Sequence, residues 1–275
     1  MKENNTFFQQ IRDVATAAAH KAGEVIAEAA GRIDVDSVRS KGVHDLVTEI
    51  DEKAEAIIIE SIRRDFPDHH ILAEESYAGN METFEKSGAL WIVDPIDGTT
   101  NFMHGVPPYA VSIAFRHQGE LVVGVVYDVA NDDLFTAIKG CGLLFNGAPA
   151  QTSKTPVLSE SLVTTGFPYR AYDHIDQYLS VLKRLMQTSR GVRRPGSASV
   201  DLAWVAAGRF DAFFETGLMP WDVAAGIVLV REGGGQISDY SGNPEPSFTA
   251  QIVASNGHVH DELLDFLLPM VDVHN

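Results

Sequence analysis

The sequence has little cysteine, few basic residues and no long apolar run. Cys141 is the single cysteine among 275 residues, which excludes an internal disulfide and a cysteine-rich zinc site and suits a reducing compartment. No stretch approaches about eighteen uninterrupted apolar residues, and the opening MKENNTFFQQIRD lacks the apolar core of a signal peptide. We therefore expect a cytoplasmic protein without a membrane partner.

The charge balance argues against nucleic acid as a partner. The chain has 21 Lys and Arg against 38 Asp and Glu, a formal net charge of -17, and no basic cluster longer than pairs such as Arg193-Arg194. Binding to nucleic acid or to an anionic membrane normally requires a basic face. Solubility explains most of the acidity, and a minority of the carboxylates are candidates for holding cations.

Hydrophobic periodicity divides the chain into two parts. Helical patterns at 7–30 and 49–65 are followed, from 71 to 146, by strand patterns with short turns, which predicts two helices and an antiparallel sheet. After about residue 150 strands and helices alternate. We expect an α+β protein with halves 1–150 and 151–275 in one compact unit. The stretch SVRSKGVHD between the first two helices is predicted to be a mobile loop.

Two carboxylates follow an apolar strand in the stretch WIVDPIDGTTNF. Asp94 is predicted to end the strand because Pro95 cannot continue a central one, and Asp97 follows after a turn. Gly98 permits tight backbone geometry, and the next residues could open a short helix whose free N–H groups suit an anion. Carboxylates and an anion repel each other unless cations lie between them, so a divalent metal is the simplest interpretation. An Asx turn with a surface charge is the alternative.

Three other acidic positions lie at the ends of predicted elements. Glu74 ends the strand before the one that carries Asp94, so both carboxylates could reach one edge of the sheet, although such an acid is usually a solvated loop residue. Asp51 and Thr48 come close to a capping box, and the functional alternative is that Asp51 accepts a hydrogen bond from a catalytic hydroxyl. Asp222 lies in the first turn of a helix, where the helix dipole alone would explain it.

Together these motifs are far more specific than each is separately. In order they read D-L-V-T-x-x-D, E-E, D-P-I-D-G-T-T-N-F and W-D-x-A-A-G. The sequence closely resembles the inositol monophosphatase family of lithium-sensitive, magnesium-dependent phosphatases, from the first helix to the last. The resemblance implies a layered αβαβα sandwich, a homodimer, and hydrolysis of a small phosphate monoester by metal-activated water.

The resemblance also implies roles for particular residues. Two or three Mg²⁺ ions would be held by Glu74, Asp94, the carbonyl of Ile96, Asp97 and Asp222. Thr99, hydrogen-bonded to Asp51, and Glu74 would orient and help deprotonate the attacking water, with Lys41 near the metals. Phosphate would be held by the amides of Gly98 and Thr99, and substrate hydroxyls would meet Asp97, Gly196-Ser197-Ala198 and Glu215.

The substrate is the least defined part of the prediction. Thr100-Asn101-Phe102 differs from the Lys-Glu-Phe-like residues of bisphosphate nucleotidases and favours inositol 1-phosphate. The alternatives are a fructose-1,6-bisphosphatase or a broad sugar or nucleotide phosphatase on the same fold, in which Arg170, Arg193 and Arg194 could meet a second phosphate. A non-catalytic scaffold is the alternative from another class, and the intact metal positions count against it.

Overall fold

The computed structural model describes residues 2–31, 39–42, 45–47, 49–79, 87–168, 174–245 and 251–274. Within these ranges the α-helices are α1 Lys2–Ala29, α2 Glu49–Asp65, α3 Thr99–His104, α4 Ile175–Thr188, α5 Ala198–Ala206, α6 Pro220–Glu232 and α7 His260–Leu267. The strands of the first part are β1 Arg39–Gly42, β2 Asp45–Val47, β3 His70–Ala73, β4 Ala89–Asp97, β5 Ala110–His117, β6 Glu120–Asp128, β7 Asp133–Ile138, β8 Gly142–Phe145 and β9 Ala148–Ala150. The second part contains β10 Leu162–Thr165, β11 Gly191–Arg193, β12 Ala212–Thr216, β13 Gln236–Ser238 and β14 Gln251–Ser255.

The elements stack in five alternating layers. Helices α1 and α2 cover one face of a seven-stranded sheet with the order β3-β4-β5-β6-β7-β8-β9. Helices α5 and α6 lie between this sheet and a five-stranded sheet with the order β11-β10-β12-β14-β13. Helices α4 and α7 cover the outer face of the second sheet. This αβαβα arrangement confirms the predicted fold class.

The position of each helix follows from the width of its apolar face. Helix α1 buries Ile11, Ala15, Ala18, Ala22 and Ile26, which form one stripe at helical spacing, against the first sheet. Helices α5 and α6 are instead apolar on nearly all sides, as expected of helices between two sheets. The two helices approach closely at Gly226, which has no side chain. A Cβ at this position would lie only 2.5 Å from Leu202.

The sheet prediction was wrong in one pairing and incomplete in its strands. Strand β3 runs parallel to β4, whereas the other pairs of the seven-stranded sheet are antiparallel. Periodicity missed β8, β9 and β11, which are only three or four residues long. The segment predicted as a mobile loop, residues 37–45, contains β1 and the first residue of its antiparallel partner β2. Short strands carry too few alternating positions to be recognised from sequence.

Pro95 does not end the strand that carries Asp94. Strand β4 continues to Asp97 as a central strand between β3 and β5. Its register against β5 shifts between Asp94, opposite Ser112, and Asp97, opposite Ala110. Three steps along β4 therefore match two along β5, and the extra residue at this bulge removes the need for a ladder hydrogen bond at the proline.

The chain passes from the first sheet to the second between Ala150, the last residue of β9, and Leu162, the first residue of β10. Division of the chain into halves at residue 150 stays a prediction. Within the described ranges, none of the helices combines the length and the apolar character that crossing a membrane requires.

Candidate metal and phosphate site

The bulge in β4 turns two carboxylates toward one place. The carboxylate of Asp94 accepts a hydrogen bond from the Ile96 N–H at 3.0 Å, which fixes the turn across Pro95. Both acids are largely buried, with 1% of Asp94 and 9% of Asp97 exposed. The local sequence thus builds a turn that holds two acids inside the protein.

A third acid reaches the same place from the other side of the site. Asp222 lies in the first turn of α6, where its Oδ2 accepts a hydrogen bond from the Met219 N–H at 2.6 Å. Oxygens of Asp94, Asp97 and Asp222 all lie within 4.8 Å of one another. Carboxylate oxygens at this spacing are the ligands that a hard divalent cation such as magnesium takes in proteins.

Glu74 completes the acidic cluster at the end of β3. Its carboxyl lies close enough to those of Asp94 and Asp222 for the groups to influence one another's protonation. Burial and the charge of Asp222 raise the pKa of Glu74 well above its usual range. Burial and the charge of Glu74 do the same to the pKa of Asp94. A cation would offset this repulsion, so the donor set fits a metal site.

Asp97 also joins the first sheet to helix α5. Its Oδ2 accepts hydrogen bonds from the Ser197 hydroxyl at 2.7 Å and from the Ser199 N–H at 2.6 Å. Burial raises the pKa of Asp97, and these hydrogen bonds oppose that shift. The structure therefore brings Asp97 and the predicted segment Gly196-Ser197-Ala198 together.

Aromatic packing and a hydrogen bond fix the start of α6. The rings of Trp221 and Tyr77, which follows the Glu74–Ser76 turn, meet edge to face at 5.4 Å. The Ser112 hydroxyl of β5 donates to the carbonyl of Trp221 at 3.1 Å. These contacts place Asp222 against the end of β4, and they explain the large aromatic residue beside it.

Gly98 and Thr99 begin the short helix α3 beside the acids. Gly98 adopts a left-handed conformation with φ 92° and ψ 35°. A Cβ at this position would be strained and would lie 3.1 Å from the carbonyl oxygen of Pro108. The helix therefore begins directly after Asp97 and Gly98, so the N–H groups of its first turn start beside the carboxylate cluster.

The Thr99 hydroxyl has two acceptors, and one of them is Asp51. Its Oγ1 lies 3.0 Å from the carbonyl oxygen of Ile96 and 3.3 Å from Oδ1 of Asp51. Only 1% of Asp51 is exposed. A hydroxyl has one proton to donate, so its lone pairs stay available to accept a hydrogen bond from a water molecule.

A cavity of about 180 Å³ extends from the acids into the second half of the chain. It is lined by Asp97, Asp222, Arg194, Gly196–Ala198 and Glu215, among others. Gly166 makes room for Glu215, because a Cβ there would overlap its carboxylate. The predicted hydroxyl-binding residues therefore share one cavity with two of the acids.

Asp201 in α5 lines the same cavity and was missed at the sequence level. It is 1% exposed, and its Oδ1 has no hydrogen-bond partner within the described part of the chain. Burial and the charge of Glu215 raise its pKa well above the usual range. In the sequence it is simply an acid in the first turn of a predicted helix, a position that the helix dipole explains equally well.

Several predicted residues lie elsewhere or outside the described residues. Arg193 donates to the carbonyl of Val192 at 3.0 Å and is exposed, whereas Arg194 lines the cavity and stacks over Phe167 at 5.4 Å. Of the pair, Arg194 is the one that the structure places in the cavity lining. The side chains of Lys41, Thr48 and Arg170 lie outside the described residues.

Comparison with known proteins identifies this arrangement. A family model described as the inositol monophosphatase family matches residues 8–269. The chain belongs to the inositol monophosphatase family. Its family relatives are metal-dependent phosphatases. The cluster of Asp94, Asp97 and Asp222 is where a metal ion could bind.

Relatives match this inositol monophosphatase family chain over nearly its whole length. The Nus factor SuhB of Pseudomonas aeruginosa is 44% identical over 264 residues, which cover 95% of this chain and 97% of that protein. The solved IMPase of Thermotoga maritima has a TM-score of 0.85 at 37% identity, covering 95% and 98% of the two chains. The inositol monophosphatase from Anabaena (Nostoc) sp. PCC 7120 has a TM-score of 0.81 at 40% identity, covering 95% and 96%.

Proposed function

We propose that the protein hydrolyses a small phosphate monoester, with inositol 1-phosphate as the favoured substrate, in a magnesium-dependent reaction. The observation that supports this most is the convergence of Asp94, Asp97 and Asp222 within 4.8 Å beside the start of α3. The cavity next to these acids offers carboxylates and backbone groups suited to the hydroxyls of a neutral polyol.

The proposed ligands of two or three magnesium ions are Glu74, Asp94, the Ile96 carbonyl, Asp97 and Asp222. When bound, such ions would polarise a water molecule and the phosphoryl oxygens and would offset the charge that develops on the leaving group. An all-oxygen, strongly anionic donor set fits magnesium better than softer metals.

The protein groups around the metals have separate proposed roles. Asp51 accepts a hydrogen bond from Thr99, which turns the hydroxyl oxygen toward the attacking water, and Glu74 and Thr99 help to remove its proton. The amides of Gly98 and Thr99 hold the phosphate oxygens, as helix N-termini do. Lys41 is proposed to lie near the same metals.

Recognition of the organic part of the substrate is assigned to the cavity. Glu215 and the Gly196–Ala198 segment would accept and donate hydrogen bonds to ring hydroxyls, together with Asp97. Among the described residues that line the cavity, Arg194 carries a basic side chain. It is therefore the candidate to bind a second phosphate if the true substrate is a bisphosphate.

The decisive assay compares phosphate release from inositol 1-phosphate, fructose 1,6-bisphosphate and adenosine 3',5'-bisphosphate, with and without magnesium. We expect release that requires magnesium and a kcat/KM that is highest for inositol 1-phosphate. Preference for either bisphosphate would overturn the substrate while keeping the metal chemistry. Absence of release from all three would move the non-catalytic scaffold to first place.

The raised pKa values of Glu74 and Asp94 predict how pH changes the effect of magnesium on stability. Without metal, the folded state binds protons more tightly than the unfolded state, so folding stability falls as pH rises from about 4 toward these raised values. Magnesium requires the deprotonated carboxylates and removes their repulsion. We expect the gain in melting temperature on adding magnesium to be larger at about pH 8 than at about pH 5. An equal gain at both pH values would contradict this assignment.

A second function is favoured by the names of relatives. The 44% identical protein of Pseudomonas aeruginosa is called a Nus factor, so we propose that this chain also has a factor role in transcription. Expression in place of that protein tests the proposal. If the Asp94→Asn variant restored the function of the missing protein, the role would be independent of hydrolysis. If the unmodified chain failed to restore it, the result would count against the role.

Three further properties belong to the proposal through the family resemblance. They are a homodimer, inhibition by lithium and a cytoplasmic location. Light scattering that gives the single-chain mass of 29.9 kDa would contradict the dimer. Activity that is unchanged in tens of millimolar lithium would contradict the second property.

A further inference from the structure

Asn101 lies at the start of α3 and has no role in the chemistry proposed above. Its side-chain nitrogen donates to the carbonyl oxygen of Pro108 at 2.9 Å and to that of Pro195 at 2.8 Å. An asparagine amide nitrogen has two hydrogens, so each carbonyl can receive one of them. Both donors of the side chain are thereby engaged.

The two acceptors belong to different layers of the molecule. Pro108 lies between α3 and β5, in the part of the chain that forms the seven-stranded sheet. Pro195 lies between β11 and α5 and directly precedes the Gly196–Ala198 segment that lines the cavity. A single amide group therefore connects the turn that carries the phosphate-facing amides to the segment that faces the rest of the substrate.

Close packing makes this connection stiff. Gly196 has φ 102°, and a Cβ on it would lie 3.0 Å from Nδ2 and 3.1 Å from Oδ1 of Asn101. On the opposite side, a Cβ on Gly98 would lie 3.2 Å from the carbonyl oxygen of Gly196. Gly196 lets its segment approach the Asn101 amide and Gly98 lets the start of α3 approach Gly196, so a shift of one segment is transmitted to the other.

We propose that Asn101 is a positioning residue that sets the spacing between the Gly98–Thr99 amides and the Gly196–Ala198 segment, and that it thereby selects monoesters whose polyol spans that spacing. The inference rests on the proposed phosphatase function. Asn101 touches neither metal ligands nor the reacting phosphate in this scheme; it acts through the segments that it holds. Its removal changes selectivity more than chemistry.

The test compares kcat and KM for inositol 1-phosphate and for glycerol 2-phosphate, which has the same phosphate ester but a much smaller organic part. The variants are Asn101→Ala, which removes both donors, and Asn101→Asp, which places a carboxylate against two carbonyl oxygens. We expect kcat/KM for inositol 1-phosphate to fall about 100-fold, mostly through KM, and that for glycerol 2-phosphate to fall about tenfold or less. The ratio between the two substrates therefore drops at least about tenfold.

Asn256 provides a matched control. Its side-chain nitrogen also donates to two acceptors, the Ser153 hydroxyl and the Thr155 carbonyl, both at 2.9 Å, away from the cavity lining. Asn256→Ala should lower the melting temperature and leave the substrate ratio unchanged. Thermal melting of each Asn101 variant shows whether it is folded, and either variant alone suffices for the comparison.

Each outcome decides between distinct conclusions. An unchanged substrate ratio in a folded Asn101 variant, or the same change in Asn256→Ala, overturns the positioning role while the phosphatase function stands. Unmodified protein that hydrolyses neither ester overturns the proposed function and, with it, the selectivity proposed for Asn101.

Discussion

Asparagine in place of Asp94 is expected to lower magnesium-dependent phosphate release by on the order of 1000-fold or more. The variant removes one negative charge from the centre of the cluster, where Asp94 neighbours Glu74, Asp97 and Asp222. Removal of residues that only support metal ligands typically costs 10–100-fold, so loss of a direct ligand should cost more. Asparagine keeps the oxygen that accepts the Ile96 N–H, so the turn at Pro95 should survive.

Steady-state assays and thermal melting with and without magnesium check this result. The gain in melting temperature on adding magnesium should largely disappear in Asp94→Asn, and the metal-free variant should be no less stable than the unmodified protein, because the repulsion between Asp94 and the neighbouring carboxylates is gone. Asp176→Asn is the matched control, since Asp176 is an exposed acid on α4. Full magnesium-dependent activity in Asp94→Asn would refute its role as a ligand.

The second large effect is expected at Thr99. Valine has nearly the same shape as threonine but no hydroxyl, so Thr99→Val removes the group that lies 3.3 Å from Oδ1 of Asp51 and 3.0 Å from the Ile96 carbonyl oxygen. Positioned proton-transfer groups typically contribute about 10²–10⁴-fold, and we expect kcat to fall within that range. The stabilisation by magnesium should persist because the carboxylate ligands are intact.

Two variants separate catalysis from packing at this position. Thr99→Ser restores the hydroxyl and should recover most of the activity. Thr100→Val makes the same change at the neighbouring exposed threonine and should leave kcat nearly unchanged. If Thr99→Val retained normal kcat with bound magnesium, the proposed use of its hydroxyl would have to be abandoned.

The part of the metal side that runs from Asp94 to Thr99 could be predicted because its residues are close in sequence. Asp94, Asp97, Gly98 and Thr99 lie within one strand, one bulge and the first turn of one helix, so local rules for strands, glycine and helix starts define their relative positions. The predicted reason for the turn, that Pro95 ends the strand, was nevertheless wrong. Pro95 lies inside a central strand at a bulge, and bulges depend on the register with a neighbouring strand that the local sequence does not specify.

The substrate side depended on contacts between distant segments. No local pattern shows that Gly166 leaves space for Glu215 or that Asp97 accepts hydrogen bonds from Ser197 and Ser199. Family resemblance supplied Glu215 and the Gly196–Ala198 segment. It did not supply Asp201, because only the packing of α5 against the cavity distinguishes this buried acid from an ordinary helix-start residue.

The distribution of the acids between layers gives a bound ion a mechanical effect. Asp94 belongs to the first sheet and Asp222 to helix α6 of the middle layer, far away along the chain. An ion shared by them would act as a reversible cross-link in a protein whose single cysteine cannot form one internally. Removal of the ion by a chelator would therefore weaken the packing between the two layers, as reduction of a disulfide weakens the packing of a secreted protein. The chelator would do so without cleaving any covalent bond.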